Sequence, residues 1–203
     1  MAGTAAGISV DLSGRTALIT GASSGLGENF ARALAAAGAQ VVVAARRADR
    51  LDALVSELRA AGHAAHAVTM DVADPASVAA GFAAAVAAAG PINTLVANAG
   101  VATETMSLDQ PVADMDALLS VNLRGVMLTA QAAAQHMVAS GSPERGDGRI
   151  ILIGSITADK IFAGAALYGA TKAAVRHLGR KPGARMGAQG HQCERHSAGL
   201  FPL

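Results

Sequence analysis

Thr16-Ala17-Leu18-Ile19-Thr20, running into Gly21-Ala22-Ser23-Ser24-Gly25-Leu26-Gly27, is the stretch that decides how the chain folds. The first five residues form a short apolar run with β-branched members, bounded by Gly14 and Gly21, and read as a buried strand. After the glycines, Phe30, Ala33, Leu34 and Ala37 recur at helical spacing, and Gly38 closes the segment. A strand, a glycine-rich turn and a helix in succession make a phosphate site. The glycines let the backbone approach a pyrophosphate, and the helix start presents free N–H groups and partial positive charge. The spacing is Gly-x-x-x-Gly-x-Gly rather than Gly-x-Gly-x-x-Gly, so a tight turn that simply needs positive φ is the competing reading.

Downstream, strands and helices alternate. Val41 to Ala45 reads as a second buried strand, followed by Arg46 and Arg47. In a dinucleotide site, an acidic residue at this strand end holds a ribose hydroxyl, whereas arginine accommodates a 2′-phosphate. No Asp or Glu stands there, so Arg46 is a candidate for the phosphate; otherwise it is a solvated residue at a helix start. Leu51, Leu54, Val55 and Leu58 mark the next helix, ending near Gly62. His63 to Met70 reads as a third strand with Asp71-Val72 at its end, and Asp74-Pro75 as a cap and first turn. Thr94 to Ala97 is a fourth strand entering Asn98-Ala99-Gly100. Pro111 to about Ser140 is a long helix, Gly141 to Gly148 a polar loop, and Arg149 to Ile153 a fifth strand with Ser155 just past it. This order predicts an α/β fold with a parallel sheet covered on both faces, and ligands at the strand C-termini.

Tyr168 and Lys172 lie four residues apart on the helix that follows, and so share one face. An ammonium one turn away favours a phenolate, which suits a proton shuttle. The Ser155 hydroxyl can donate to a substrate oxygen as charge develops on it.

Composition narrows the function classes. The 203 residues suffice for one domain with a proper core. Aromatics make up only 2%, so alanine, valine and leucine carry the packing. Net charge is +1 with no basic block, which gives no reason to expect nucleic acid or an anionic membrane. No apolar run reaches the ~18 residues of a membrane span. A single cysteine, Cys193, and the lack of a leader-like start point to the cytoplasm.

The matching pieces, Thr20 through Gly27, Asp71-Val72, Asn98-Ala99-Gly100, Asn122, Ser155 and Tyr168 through Lys172, resemble the short-chain dehydrogenase/reductase family from about Leu12 to Arg180. Ala97 departs from it, since the family more often has asparagine there. The resemblance implies a Rossmann-type, doubly wound parallel sheet in three α/β/α layers. It implies hydride transfer between NADP, with NAD as the second choice, and a small alcohol or ketone. It makes Tyr168 the acid/base, Lys172 the residue that favours its anion and holds the nicotinamide ribose, and Ser155 the group that positions the substrate. Asn122 would hold a water in the proton relay, and Asp71 would meet the adenine. Gly21, Ser23, Ser24, Gly25, Leu26, Gly27, Val72, Asn98, Ala99 and Gly100 would line the cofactor.

The tail does not continue the pattern. Residues 1–11 are read as a flexible N-terminus, 12–180 as the catalytic domain and 181–203 as an irregular tail without strands. Lys181-Pro182-Gly183 breaks the helix, and the family's sixth and seventh strands and substrate cover cannot be found. Read one base on, with allowed codons throughout, residues 181–202 can spell Ser-Leu-Ala-Arg-Glu-Trp-Ala-Arg-Lys-Gly-Ile-Asn-Val-Asn-Ala-Ile-Arg-Pro-Gly-Tyr-Phe-Pro. That resembles the family's continuation, so the tail is expected to be out of frame and the domain C-terminally truncated; the coding DNA tests this. Two function classes therefore stand: an NADP-preferring oxidoreductase that is a homo-oligomer when its C-terminus is intact, or a truncated chain that folds poorly or only binds nucleotide. His191, Cys193 and His196, with Glu194 among them, resemble a metal cluster, but zinc sites space their ligands on a scaffolded turn and need a fourth, so no metal is expected.

Overall fold

The computed structural model describes residues 10–180 and the backbone of 199–202. The expectations for residues 1–9, for residues 181–198 and for the His191–His196 cluster lie outside the described residues.

Strands β1 (Thr16–Thr20), β2 (Gln40–Ala45) and β4 (Thr94–Ala97) are buried nearly throughout, as apolar runs in the middle of a parallel sheet must be. β3 (Ala65–Thr69) and β5 (Arg149–Leu152) flank them, and all five pair in parallel. β3 begins at Ala65, two residues after the His63 start read from the sequence. The strand order is β3-β2-β1-β4-β5-β6, where β6 is Gly199–Pro202.

Alternate residues feed opposite faces, as the strand period of two requires. Leu18 and Val42 join one core cluster with Phe82, Leu95, Met137 and Ile150. Their neighbours Ile19, Val41 and Val43 join the other with Leu51, Leu54 and Leu58. Helices α3 (Pro75–Ala89), α5 (Val126–Ala139) and α7 (Ala166–Leu178) supply the first face, and α1 (Gly25–Ala36) and α2 (Ala48–Ala60) the second. Three layers follow, with the sheet in the middle. Fully buried Ala31, Ala85 and Ala133 let helix backbones come close, which is how the chain packs with so few aromatics.

Three features differ from the sequence reading. The segment from Pro111 to Ser140 is one helical course but not one helix. It runs as α4 (Val112–Leu118), a π-helical stretch (Leu119–Gly125) and α5. Gly125 explains the close packing there, since a Cβ would sit 2.9 Å from the Val72 carbonyl oxygen. The supposed loop from Gly141 to Gly148 contains a short helix, α6 (Ser142–Arg145). And the tail, read as strandless, supplies β6 (Gly199–Pro202), antiparallel to β5 with Ile150 opposite Phe201. The β5 edge is thus covered, because an unpaired row of backbone groups accepts any extended segment within reach. No described helix is long and apolar enough to cross a membrane.

Candidate active site

The β1–α1 turn divides its glycines by task. At Gly21 a Cβ would sit 2.7 Å from Ala99 Cα, and at Gly27 it would meet Asn98 Nδ2 at 2.6 Å and the Gly21 carbonyl oxygen closer still. These two glycines exist so that the ends of β1 and β4 can touch. Gly21 is also left-handed, at φ +69°, but Gly25, at φ +60°, has nothing within 4 Å of where its Cβ would be. Ser24 caps α1 in extended conformation without any side-chain hydrogen bond to the first turn. The helix therefore opens with N–H groups that no cap satisfies, the arrangement that binds an anion.

Asn98 and Thr20 lock this corner. The Asn98 side-chain amide donates to the Thr20 carbonyl at 3.0 Å, and the backbone N–H groups of Asn98 and Ala99 donate to Thr20 Oγ1 at 3.1 and 3.2 Å. Asp71 makes an Asx-type turn, accepting from the Ala73 N–H at 2.9 Å. A cavity of about 350 Å³ lies over these groups. It gathers Gly21, Ser23, Ser24, Leu26, Arg46, Asp71, Val72, Asn98, Ala99 and Gly100 from the expected set, whereas Gly25 and Gly27 do not line it. Met70, Val101 and Val121 also line it. They were missed because an apolar residue at a strand end carries no signal of its own.

The arginine pair behaves unlike the sequence expectation in one respect. Both line the cavity and both are exposed. Arg47, not Arg46, reaches across to the glycine turn, donating to Ser23 Oγ at 2.9 Å and Ser24 Oγ at 2.8 Å. A guanidinium thus already stands beside two serine hydroxyls at the mouth of the turn, which joins three phosphate-binding groups in one place.

The catalytic candidates do not line that cavity; they meet it at Gly100. A Cβ there would lie 3.3 Å from Asn122 Oδ1 and 3.8 Å from Lys172 Nζ. Asn122 is fully buried in the π-helical stretch. Its Oδ1 accepts from the Val101 N–H at 2.8 Å, and its Nδ2 donates to the Val101 carbonyl at 2.7 Å. These two bonds pin the loop after β4 to the π-helical stretch.

Lys172 is 4% exposed and donates to the Ile153 carbonyl at 2.9 Å, with its Nζ 5.8 Å from the centroid of the Tyr168 ring. Burial pushes the ammonium below the usual lysine range. Among the described residues no carboxylate pairs with it. Ser155 Oγ accepts from the Thr157 N–H at 3.2 Å and from Thr157 Oγ1 at 2.9 Å, which leaves its own hydrogen for a third partner. Gly169 makes this neighbourhood compact: a Cβ there would lie 2.8 Å from the Thr157 carbonyl oxygen. Together these groups can hold a polarised oxygen with one hydroxyl and exchange a proton with another.

Known proteins resemble this chain in sequence and in fold. A family model described as short chain dehydrogenase matches residues 15–190. Gluconate 5-dehydrogenase of Gluconobacter oxydans is 37% identical over 190 residues, covering 94% of this chain and 72% of the relative. Oxidoreductase UcpA of Escherichia coli is 40% identical over 165 residues, covering 81% of this chain, which here spans 60% of the relative's length. A solved gluconate 5-dehydrogenase from Burkholderia cenocepacia, in complex with NADP and tartrate, superposes with a TM-score of 0.82 at 40% identity, covering 90% of this chain and 69% of that one.

Proposed function

The chain belongs to the short-chain dehydrogenase family, and from that premise we propose that it interconverts an alcohol and its carbonyl compound, with NADP preferred over NAD. When bound, the nicotinamide cofactor supplies or accepts the hydride. The chain's own residues do the rest. Ser155 donates its free hydrogen to the substrate oxygen, and Tyr168 gives that oxygen a proton in reduction or takes it in oxidation. Lys172, buried and with no carboxylate partner among the described residues, stabilises Tyr168 when the proton has left. Asn122 keeps the loop after β4 in register with α7 through Val101 and through Thr171 Oγ1 at 3.4 Å. The uncapped start of α1 at Gly25 would take the pyrophosphate, with Asp71 and Val72 beside the adenine. Arg46 and Arg47 would face the 2′-phosphate, and no acidic residue at Ala45 repels it.

The observation that supports the reading most is the juxtaposition at Gly100, where the wall of the nucleotide-sized cavity touches Asn122 and Lys172. The whole enzyme's assembly as a homo-oligomer belongs to the same proposal. The test is label transfer. NADPH carrying deuterium at C4, incubated with the chain and a panel of ketones, should deliver deuterium to the carbinol carbon of a product. Bound NADPH with no label in any product, and no oxidation of the matching alcohols, would favour a nucleotide-binding chain without catalysis.

A further inference from the structure

Eleven large apolar side chains are exposed among the described residues, and five of them sit in just two loops. Met106 and Leu108, at 58% and 100% exposure, lie in the segment 101–110 after β4. Ile156, Ile161 and Phe162, at 66%, 100% and 49%, lie in the segment 156–165 after β5. Loops that only connect elements are usually polar, and a concentration of exposed apolar groups marks a binding surface. Both loops leave the C-terminal ends of parallel strands, the side on which ligands are bound in such sheets.

The two loops are held against each other and against the catalytic residues. A Cβ on Gly164 would lie 3.4 Å from the Glu104 carbonyl carbon, so the loops touch. Asp159 pairs with Arg176 of α7, and Gly169 brings α7 onto Thr157. Ile156 follows Ser155 directly, and Phe162 stands six residues before Tyr168 on the segment that leads into α7. Charge in the same loops is skewed. Exposed Glu104 and Asp109 face one ammonium, Lys160, once Asp159 is paired. An anionic substrate would meet like charge there, and a polyhydroxylated one would strip water from its hydroxyls against apolar side chains without regaining hydrogen bonds.

Resting on the oxidoreductase reading above, we infer that the substrate is uncharged and carries an apolar body, a ring or branched chain, next to the reacting carbon. Ile156, Ile161 and Phe162 select it. The chain therefore discriminates against polyhydroxy carboxylates of the kind named for the gluconate dehydrogenases it resembles.

The experiment compares two ligand classes on the full chain with NADPH. One is a series of cyclohexanones bearing alkyl groups of increasing length; the other is 5-ketogluconate. Turnover gives kcat/KM, and quenching of NADPH fluorescence in the Tyr168→Phe variant gives the ketone dissociation constant without turnover. The expected result is at least a tenfold preference for the cyclohexanones, growing about three- to fourfold per added methylene. Replacing Ile161 and Phe162 by serine, both exposed and so of little consequence for folding, should flatten that growth while leaving NADPH affinity within twofold. Graded ketone binding without turnover would remove the catalytic reading and keep the selectivity. Turnover that favours 5-ketogluconate, or an alkyl series that the serine variants do not flatten, would overturn the selectivity and keep the catalysis. Saturating NADPH with no binding of either class would overturn it as well.

Discussion

The β1–α1 turn and the Ser155–Lys172 segment face each other across Gly100, and they are made of different material. The turn works by what it lacks: Gly21 and Gly27 have no Cβ to keep β4 away, Gly25 leaves open space, and Ser24 leaves the first helical turn uncapped. The proposed catalytic segment would work by atoms placed at the ends of side chains: the hydroxyls of Ser155 and Tyr168 and the ammonium of Lys172. The β3–α3 turn is built the other way. There Asp74 accepts from the Ala76 N–H at 2.9 Å with Pro75 in the first turn, so the helix start is already satisfied and offers an anion nothing. A backbone-made site is broken by adding atoms, and a side-chain-made site by removing them.

The largest expected effect removes one atom. Tyr168→Phe should lower turnover by roughly 10²–10⁴-fold, the usual worth of a positioned acid/base, with cofactor dissociation constants unchanged. A variant that keeps a tenth of the rate would mean that Tyr168 is not the proton donor. The complementary change adds one atom. Gly27→Ala must push aside Asn98 and the Gly21 carbonyl, at a cost of about 1–3 kcal/mol in stability, and should weaken cofactor binding with it. Urea denaturation and a fluorescence titration read both, and an unmoved cofactor affinity would break the contrast between the two regions.

Asn122 sharpens it, being a side chain used as scaffold. Asn122→Ala leaves the Val101 N–H and carbonyl unpartnered, a loss of about 1–3 kcal/mol. Lowered stability accompanied by a proportionate fall in rate would fit its bonds to Val101. A slower enzyme of unchanged stability would instead restore a direct part in proton transfer. Next comes cofactor choice. Ala45→Asp with Arg46→Leu should shift the ratio of NADP to NAD affinity by roughly ten- to a hundredfold toward NAD, one charge-assisted bond's worth. If Arg47 by itself grips the phosphate, the same double variant will shift the ratio far less, and Arg47→Leu will do it instead.

The smallest effect is on pH. His136 Nε2 accepts from the Ile92 N–H at 3.1 Å beside the Phe82 ring, and burial holds its pKa below the ordinary 6.5; His66, near Arg59, is lowered as well. The unfolded chain then binds more protons than the folded one below pH 6.5, so stability is complete above that value and declines as pH falls through it. His136→Gln, which keeps an acceptor and cannot titrate, should reduce the decline measured by thermal denaturation at pH 5 to 7. An equal slope in both proteins would assign it to other groups.

Much of the fold is legible in the residue pattern itself. Buried strands declare themselves by β-branched runs, helices by spacing and by Asp74-Pro75 or Gly38, and the phosphate turn by its place between them. These are local signals, carried by residues within a few positions of each other, and so the sequence determined the alternation of β1 to β5 with helices and the parallel sheet covered on both faces, while the resemblance to the short-chain dehydrogenase/reductase family supplied the candidate set from Gly21 to Lys172. What it could not determine depends on residues brought together from far apart. Which glycine packs and which leaves space depends on Asn98 and Ala99, some seventy residues on. Arg47 rather than Arg46 reaches Ser23 and Ser24 because of how α2 begins after β2. Asn122 serves Val101 because a π-helical stretch turns it inward. The tail pairs with β5 because an open sheet edge takes whatever extended segment reaches it, a choice made by backbone hydrogen bonds that no side-chain pattern records.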